Sequence, residues 1–499
     1  MYISEMDLMK AKLEAGKRLN DSDIIKTVIG EDGISLKKRK MEEGERYFQC
    51  KHDILKKDFR VKGISETVQR SDGTEGEGIH YFTNPNKSNH HVMNPFHYIL
   101  VAQKAAYLVG REPSITVCGA EEKEDLKGYE KMLTQKADEE FNRIVYEWII
   151  GAANKGVEYL HVYYDAEGVL RFCIVPAEQV IVFYDSVYET EIEQVIRYYD
   201  ITILVDGKEE VRKKVEWWTK DDVTYFSERA DGEFEVEPDR ANPCPHWVVT
   251  TTVDGLEKTR ENHGWGRVPF IPLRNNPREM TDLELIKGLV DAYDLISSEG
   301  TNNLLDLVDL YWVIEGYGGE AASAIAKKLQ INKAVHISDS SGKVEAKQVE
   351  LPVDGRLQWM KMIRKDIFHF GMGVDTDSDD LGKAPSGISL KFQYSMFHLK
   401  INGIVPEIKG ALKQLFRFIT EDMNRREGTN FDWRTVEIGM NLNAITDDME
   451  TMTIIEKSKG VVSEKTLLGK HPFVDDVNGE MEQIMAERKL EMEKEEEKE

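Results

Sequence analysis

Apolar residues near the C-terminal third of the chain fall at Leu390, Tyr394, Phe397, Ile401, Ile404, Ile408, Leu412, Leu415 and Ile419. The steps alternate between three and four, the spacing of one buried stripe on a helix. Residues 386–419 are therefore predicted to form a helix ~50 Å long, at ~1.5 Å per residue. Pro406 sits in its middle. Proline has no N–H to donate and its ring crowds the carbonyl four residues back, so a kink is expected there. Just upstream, 371–385 is rich in Gly and Asp and reads as a flexible acidic loop.

The rest of the pattern divides the chain into blocks. Residues 1 to about 60 read as helices, and the Gly-, Ser- and Asn-rich stretch 61–89 as a loop. A helix follows through Phe96, Ile99, Leu100, Ala102, Ala106, Tyr107 and Leu108, closed by Gly110. Another is predicted at about 136–154. From 158 to 225 short β-rich runs separated by Gly and Asp predict an antiparallel meander. Residues 266–276 read as a proline-braced extended connector. Thr281, with Glu284 three residues on, has the form of a capping box. The helix after it carries a stripe through Leu285, Leu289, Tyr293, Ile296, Leu304, Leu307 and Val308. A second helix is predicted at about 355–370, with a small α/β module between the two. The expected class is α+β, predominantly helical.

Composition bounds the function. The 499-residue chain holds 40% hydrophobic and 31% charged residues, with net charge −25. Such a chain is not built to wrap nucleic acid by neutralising phosphates, but like charge lets a nucleic acid slide past without sticking. No apolar run approaches the ~20 residues of a membrane span, and 1–17 is charged, without a signal-peptide core. Cys50, Cys118, Cys173 and Cys244 are scattered, with no Cys-x-x-Cys, and read as buried free thiols in a reducing cytoplasm.

Few residue sets suggest chemistry. Asp375, Asp377, Asp379 and Asp380 resemble a calcium loop only superficially, because Asp380 stands where such a loop needs glycine and Ser386 where it needs glutamate. A solvated acidic loop is the expected reading. Gly382-Lys383 lacks the upstream glycine of a P-loop. His90, His91 and His97 are expected to be surface histidines rather than zinc ligands. Trp217, Trp218, Tyr225 and Phe226 could stack bases, but sheet packing is expected. No nucleophile or metalloprotease motif is present. No cofactor is expected.

Several stretches, in this order, resemble the portal proteins of tailed double-stranded-DNA bacteriophages, of the Gram-positive siphovirus type. Tyr47-Phe-Gln-Cys-Lys-His-Asp-Ile54 is similar to that family's Tyr-Tyr-x-Gly-x-His-Asp-Ile, with Cys50 in place of glycine. Asn89, Asn94, Phe96, Ile99, Lys104, Tyr107, Leu108 and Gly110 follow its loop-to-helix pattern. Pro269-Phe-Ile-Pro-Leu-Arg-Asn-Asn276, with 283–293 and 297–303, resembles the approach to its stem helix. Ser386-Gly-Ile-Ser-Leu-Lys391 resembles its Ser-Gly-x-Ala-Leu-Lys, with Ser389 for alanine. Val461-Val-Ser-Glu-Lys-Thr-Leu467 and Pro472-Phe-Val-Asp-Asp476 resemble its C-terminal region.

The resemblance implies a non-enzymatic, dodecameric ring at one capsid vertex of the virion, assembled in the bacterial cytoplasm. Double-stranded DNA would pass through its channel in packaging and ejection. The implied partners are the terminase large subunit, head-completion or adaptor proteins, and scaffold and major capsid proteins, with no membrane. The implied parts are an α+β wing (1–270), a connector and first stem helix (271–308) and a clip (309–352). A second stem helix (353–370), a tunnel loop (371–385), a kinked helix returning to the wing (386–440) and a crown with an acidic tail (441–499) follow. Asp375, Asp377, Asp379, Asp380 and Lys383 would face DNA: the acids would repel and centre the phosphates, and Lys383 would touch them transiently. Pro406 would pass loop movement to the wing. Tyr317, Glu320, Lys327, Lys328 and Lys333 would be the docking residues of the clip. The competing readings are a metal-dependent nucleic-acid enzyme using the Asp375–Asp380 acids, and another virion ring or adaptor protein.

Overall fold

A computed structural model describes residues 4–13, 20–69, 75–85, 87–120, 123–186, 191–205, 207–253, 256–306, 311–315, 343–347, 353–377, 394–442, 448–471, 473–474 and 477–496. Three helices open the chain: α1 (Glu5–Leu13), α2 (Asp21–Ile34) and α3 (Leu36–Phe48). Asn20 caps α2 and Ser35 caps α3, each side chain accepting from the backbone N–H three residues on. Strands β1 (Val61–Gln69) and β2 (Glu75–Thr83) then pair antiparallel, Val61 opposite Thr83. This corrects the loop expected at 61–89. Glycines diluted the alternation that marks a strand, while the intervening Asp72-Gly73 is a hairpin-turn signal.

Helix α4 (Phe96–Val109) leads to β3 (Ser114–Val117). Next comes α5 (Glu124–Lys136), a helix missed from sequence because its charged residues leave only Tyr129 and Leu133 buried. Helix α6 (Glu139–Lys155) is capped by Asp138 and ended by Gly156, whose φ of +85° is open to glycine. Strands β4 (Val157–Tyr164) and β5 (Leu170–Val175) form a three-stranded sheet with β14 (Phe270–Arg274). The expected connector at 266–276 thus contains a strand. Pro272 is tolerated because β14 is the sheet's edge.

The expected meander is present as the antiparallel run β6 (Val180–Tyr184), β7 (Ile192–Val205), β8 (Lys208–Trp218), β9 (Asp222–Glu228) and β10 (Phe234–Val236), with β11 (Cys244–Pro245) on β9. Trp217 and Trp218 are buried within it, as sheet packing requires. A further hairpin, β12 (Trp247–Val253) with β13 (Leu256–His263), was not expected.

Thr281 and Glu284 close the predicted capping box, each side chain accepting from the other's backbone N–H, around a single 3-10 turn (Asp282–Leu285). Helix α7 (Lys287–Asp306) follows. Strands β15 (Tyr311–Glu315) and β16 (Lys343–Lys347) pair antiparallel between α7 and α8 (Val353–Phe370). The long helix is α9 (Ser395–Glu427), 33 residues unbroken across Pro406. Its Phe397, Ile401, Ile404, Ile408, Leu412, Leu415 and Ile419 are all buried, as the stripe requires; Leu390 lies outside the described residues. They pack with Phe141, Trp148 and Ile149 of α6 and Tyr107 and Leu108 of α4 in the largest core cluster. Gly428, at φ +68°, ends α9. Strand β17 (Val436–Gly439) pairs back onto β3, and helices α10 (Asp448–Lys457), α11 (Glu464–Leu468) and α12 (Val477–Glu496) complete the chain. No described helix is long and apolar enough to cross a membrane.

Helix α7 departs from expectation most. Of its predicted apolar stripe, Leu289, Tyr293 and Ile296 are half-buried against the core, Leu307 and Val308 lie outside the described residues, and the fully buried positions are mostly polar. Val290, Asp294, Ser298 and Asn302 are buried, whereas Leu285, Leu304 and Leu305 are exposed. The polar residues recur every fourth position and grip the extended segment before α4. Asp294 accepts from the Asn94 backbone N–H at 2.8 Å, Ser298 from that of Val92 at 2.9 Å, and Asn302 from that of His90 at 2.7 Å. Main-chain groups that would be buried unpaired are thereby satisfied.

Candidate functional site: the root of the acidic loop

The acidic loop leaves the body at the C-terminus of α8, where four elements converge. Gly371 and Gly373 let the chain press onto α4. A Cβ on Gly371 would lie 2.7 Å from the Ile367 carbonyl oxygen and from Leu100 Cδ1, and one on Gly373 would lie 2.0 Å from Leu100 Cδ2. Val374 is buried, and Gln103 of α4 clasps its backbone from both sides: Nε2 donates to the Val374 carbonyl at 2.8 Å, and Oε1 accepts from its N–H at 3.1 Å.

The next acids do not stand free. Arg364 of α8 donates Nε to Asp375 Oδ2 at 2.9 Å, and Nη2 to Asp375 Oδ1 and to Asp377 Oδ2, both at 2.7 Å. The Asp377 backbone N–H also donates to Asp375 Oδ1 at 3.2 Å. Burial acts to raise the Asp375 pKa, but the Arg364 guanidinium and that backbone N–H outweigh it and hold the carboxyl below its usual range. The expected flexible loop is therefore pinned over 371–377. Asp379, Asp380 and Lys383 lie outside the described residues.

The other side of the root is held by α9. Lys400 Nζ donates to the Gly371 carbonyl at 3.0 Å and pairs with Asp282 Oδ2 at 2.8 Å. Asp282, ahead of α7, also meets buried Lys104 of α4, 3.3 Å from both carboxylate oxygens, and accepts from Asn275 Nδ2 at 2.9 Å. Burial disfavours the Asp282 carboxylate, yet the two lysines outweigh it and hold its pKa well below the usual range. Burial pushes Lys104 down to about 8, with Asp282 opposing. One carboxylate thus ties together the connector, α4 and the start of α9, while Lys400 carries that tie to the end of α8.

Pro406 lies exposed on α9 and lines a half-open cleft of about 410 Å³ with Gly410, Gln414, Arg267, Arg274 and Arg417. The Asn402 carbonyl loses its intrahelical donor there. Arg267 and Arg417 share Glu421, at 2.9 and 3.2 Å.

The histidines are not one group. His90 is exposed, and His91 Nε2 meets the Lys57 carbonyl at 2.6 Å. His97, expected at the surface, is fully buried on α4 with Nε2 3.1 Å from Asn154 Oδ1, because position 97 turns inward beside Phe96. Among the described residues no cluster of His, Cys, Asp or Glu is suited to a metal. The four cysteines are free thiols, but none is buried as expected, and Cys118 is exposed. Tyr317, Glu320, Lys327, Lys328 and Lys333 lie outside the described residues. Sequence reasoning missed Arg364, Gln103 and Lys400. An arginine on α8 eleven residues before an acid was the only signal available for Arg364.

This arrangement binds the segment 371–377, α4, α8, α9 and the connector together. The family model described as "Phage portal protein, SPP1 Gp6-like" matches residues 31–494, and the chain belongs to that family. It is 28% identical over 450 residues to the portal protein of Bacillus phage SPP1, covering 89% of this chain and 83% of that one. It is 26% identical over 489 residues to the portal protein of Clostridium phage phiCD119, covering 94% and 97%. A chain of the structure "Neck of native GTA particle computed with C12 symmetry" covers 76% of this chain and 90% of its own length at 11% identity. Its TM-score of 0.38 is too low to carry an inference.

Proposed function

We propose that the protein forms a ring of twelve copies at one vertex of the capsid, through whose axis double-stranded DNA is packaged and later ejected. A separate terminase supplies the force, and head-completion proteins replace it when the head is full. Residues 1–270 form the wing, α7 and α8 the stem, 309–352 the clip, 371–385 the loop at the channel, and 441–499 the crown. Scaffold and capsid proteins meet the ring during assembly in the host cytoplasm.

The observation that carries this reading is the outward face of the stem. Leu304 is 62% exposed on α7, and Leu357 and Trp359 are 52% and 54% exposed on α8. Apolar side chains gathered on two adjacent helices mark a surface to be covered. In a closed ring each copy covers its neighbour's. The charge of −25 per chain, multiplied around a ring, keeps DNA from adhering to the wall.

Native mass and particle images of the purified protein test it. A ring of about a dozen copies with an axial opening of ~20 Å, wide enough for a duplex that passes as a stiff rod, is expected. A monomer or dimer that stays small at high concentration would sink it. The rival reading, a metal-dependent nuclease, is disfavoured because Arg364 already occupies Asp375 and Asp377.

A further inference from the structure

We infer that Arg364 is a positioning residue: it withdraws Asp375 and Asp377 from the charge that faces DNA and fixes the root of the loop to the second stem helix. The inference rests on the portal reading above.

If Asp375 and Asp377 acted only by repelling phosphates, neither carboxylate would be paired with a cation. Instead one guanidinium takes both oxygens of Asp375 and one of Asp377. Only 17% of the Asp375 side chain is exposed; Asp377 is 75% exposed and is held by Arg364 from one side. The fork is itself held in place, since Arg364 lies 5.6 Å from the ring of Phe368, one helical turn along α8 and buried. A planar guanidinium fixed in this way orients what it binds, which a lysine ammonium would not do. Gln103 and Lys400 hold the backbone just ahead of the clasp, at Val374 and Gly371. The segment 371–377 is thus fixed from α4, α8 and α9 together. Its net contribution to the channel wall is one negative charge per copy, where the bare sequence offers two.

Arg364→Gln and Asp375→Asn distinguish the two roles, because one adds free negative charge and the other removes it. A repulsive role moves DNA packaging in opposite directions in these variants. The positioning role lowers packaging several-fold in both, with the double variant no worse than the worse single, because they break one clasp. The readout is the nuclease-protected DNA per filled head when each variant complements a phage lacking its portal, with ring mass measured on the same proteins. The exchanged pair Arg364→Asp with Asp375→Arg restores most of the packaging if the clasp is what matters. Opposite signs, normal packaging by Arg364→Gln, or an exchanged pair no better than the singles overturns the inference. If Arg364→Gln fails to assemble, the exchanged pair decides alone. A wild-type protein that forms no ring would overturn the portal reading instead.

Discussion

His52 and Asp294 meet at 2.6 Å through Nδ1 and Oδ2, with neither side chain exposed to solvent. Asp294 Oδ1 accepts from both the backbone N–H and the Nδ2 of Asn94, so one carboxylate joins α7 to the segments on either side of the β1–β2 hairpin. His52 stacks on Tyr47 at 4.4 Å between ring centroids. The Tyr47–Ile54 motif therefore supplies the lock that holds α7 onto the body.

Removing the carboxylate leaves His52 and the Asn94 N–H buried without partners. Asp294→Ala is expected to destabilise the folded chain by about 3 kcal/mol or more, read as a lowered midpoint in thermal unfolding. Asp294→Asn, which keeps one acceptor, is expected to lose less. Equal stability of the alanine variant would show that the lock does not hold.

Acid should weaken the fold through His97. Burial lowers its pKa from the ordinary 6.5 to about 4. Between those values the unfolded chain binds a proton that the folded chain refuses, so stability falls as pH drops from 6.5 towards 4. The full effect is on the order of 3 kcal/mol at ~1.4 kcal/mol per pH unit. His97→Gln should flatten the pH dependence of urea unfolding in that window. A slope identical to wild type would assign the acid sensitivity elsewhere, His161 being the next candidate because burial pushes it down to about 3.

The exposed stem residues should matter to assembly and not to folding. Trp359→Asp or Leu304→Asp is expected to shift the native mass from ring towards monomer while circular dichroism and thermal unfolding of the monomer stay unchanged. A fully assembled ring carrying either charge would remove the stem face from the interface.

Pro406→Ala returns an N–H to the Asn402 carbonyl and should raise thermal stability, because interior proline disfavours a helix by roughly 3 kcal/mol. If Pro406 relays loop movement to the wing, DNA packaging falls at the same time. Packaging at wild-type level would end that relay idea.

Much of the frame was legible in the chain. The α9 stripe, the Thr281–Glu284 box and the meander each follow from local periodicity or capping, which a single sequence records directly. The hairpin at 61–83 was not, because Gly63, Gly76 and Gly78 dilute the strand pattern. Helix α7 misled for a different reason. Periodicity finds the apolar residues, of which Leu289, Tyr293 and Ile296 do pack on the core, but it gives no sign that Asp294, Ser298 and Asn302 are buried to hold the main chain of 90–94. The acids of the loop were legible as charges, but their partner was not. The meeting of Arg364 with Asp375 and Asp377 depends on where the chain turns after Phe370, a tertiary fact that spacing does not encode.

The polar burial and exposed C-terminal leucines of α7 have a consequence for quality control in the infected cell. A helix that spends its polar residues on its own chain and leaves Leu304 and Leu305 outside would, in the proposed ring, make each newly folded subunit adhesive until its neighbours enclose it. Free subunits should then be the species most exposed to chaperones and proteases, and most prone to off-pathway clumping. The yield of sound particles would depend on how quickly subunits find one another, more than on how stably each one folds.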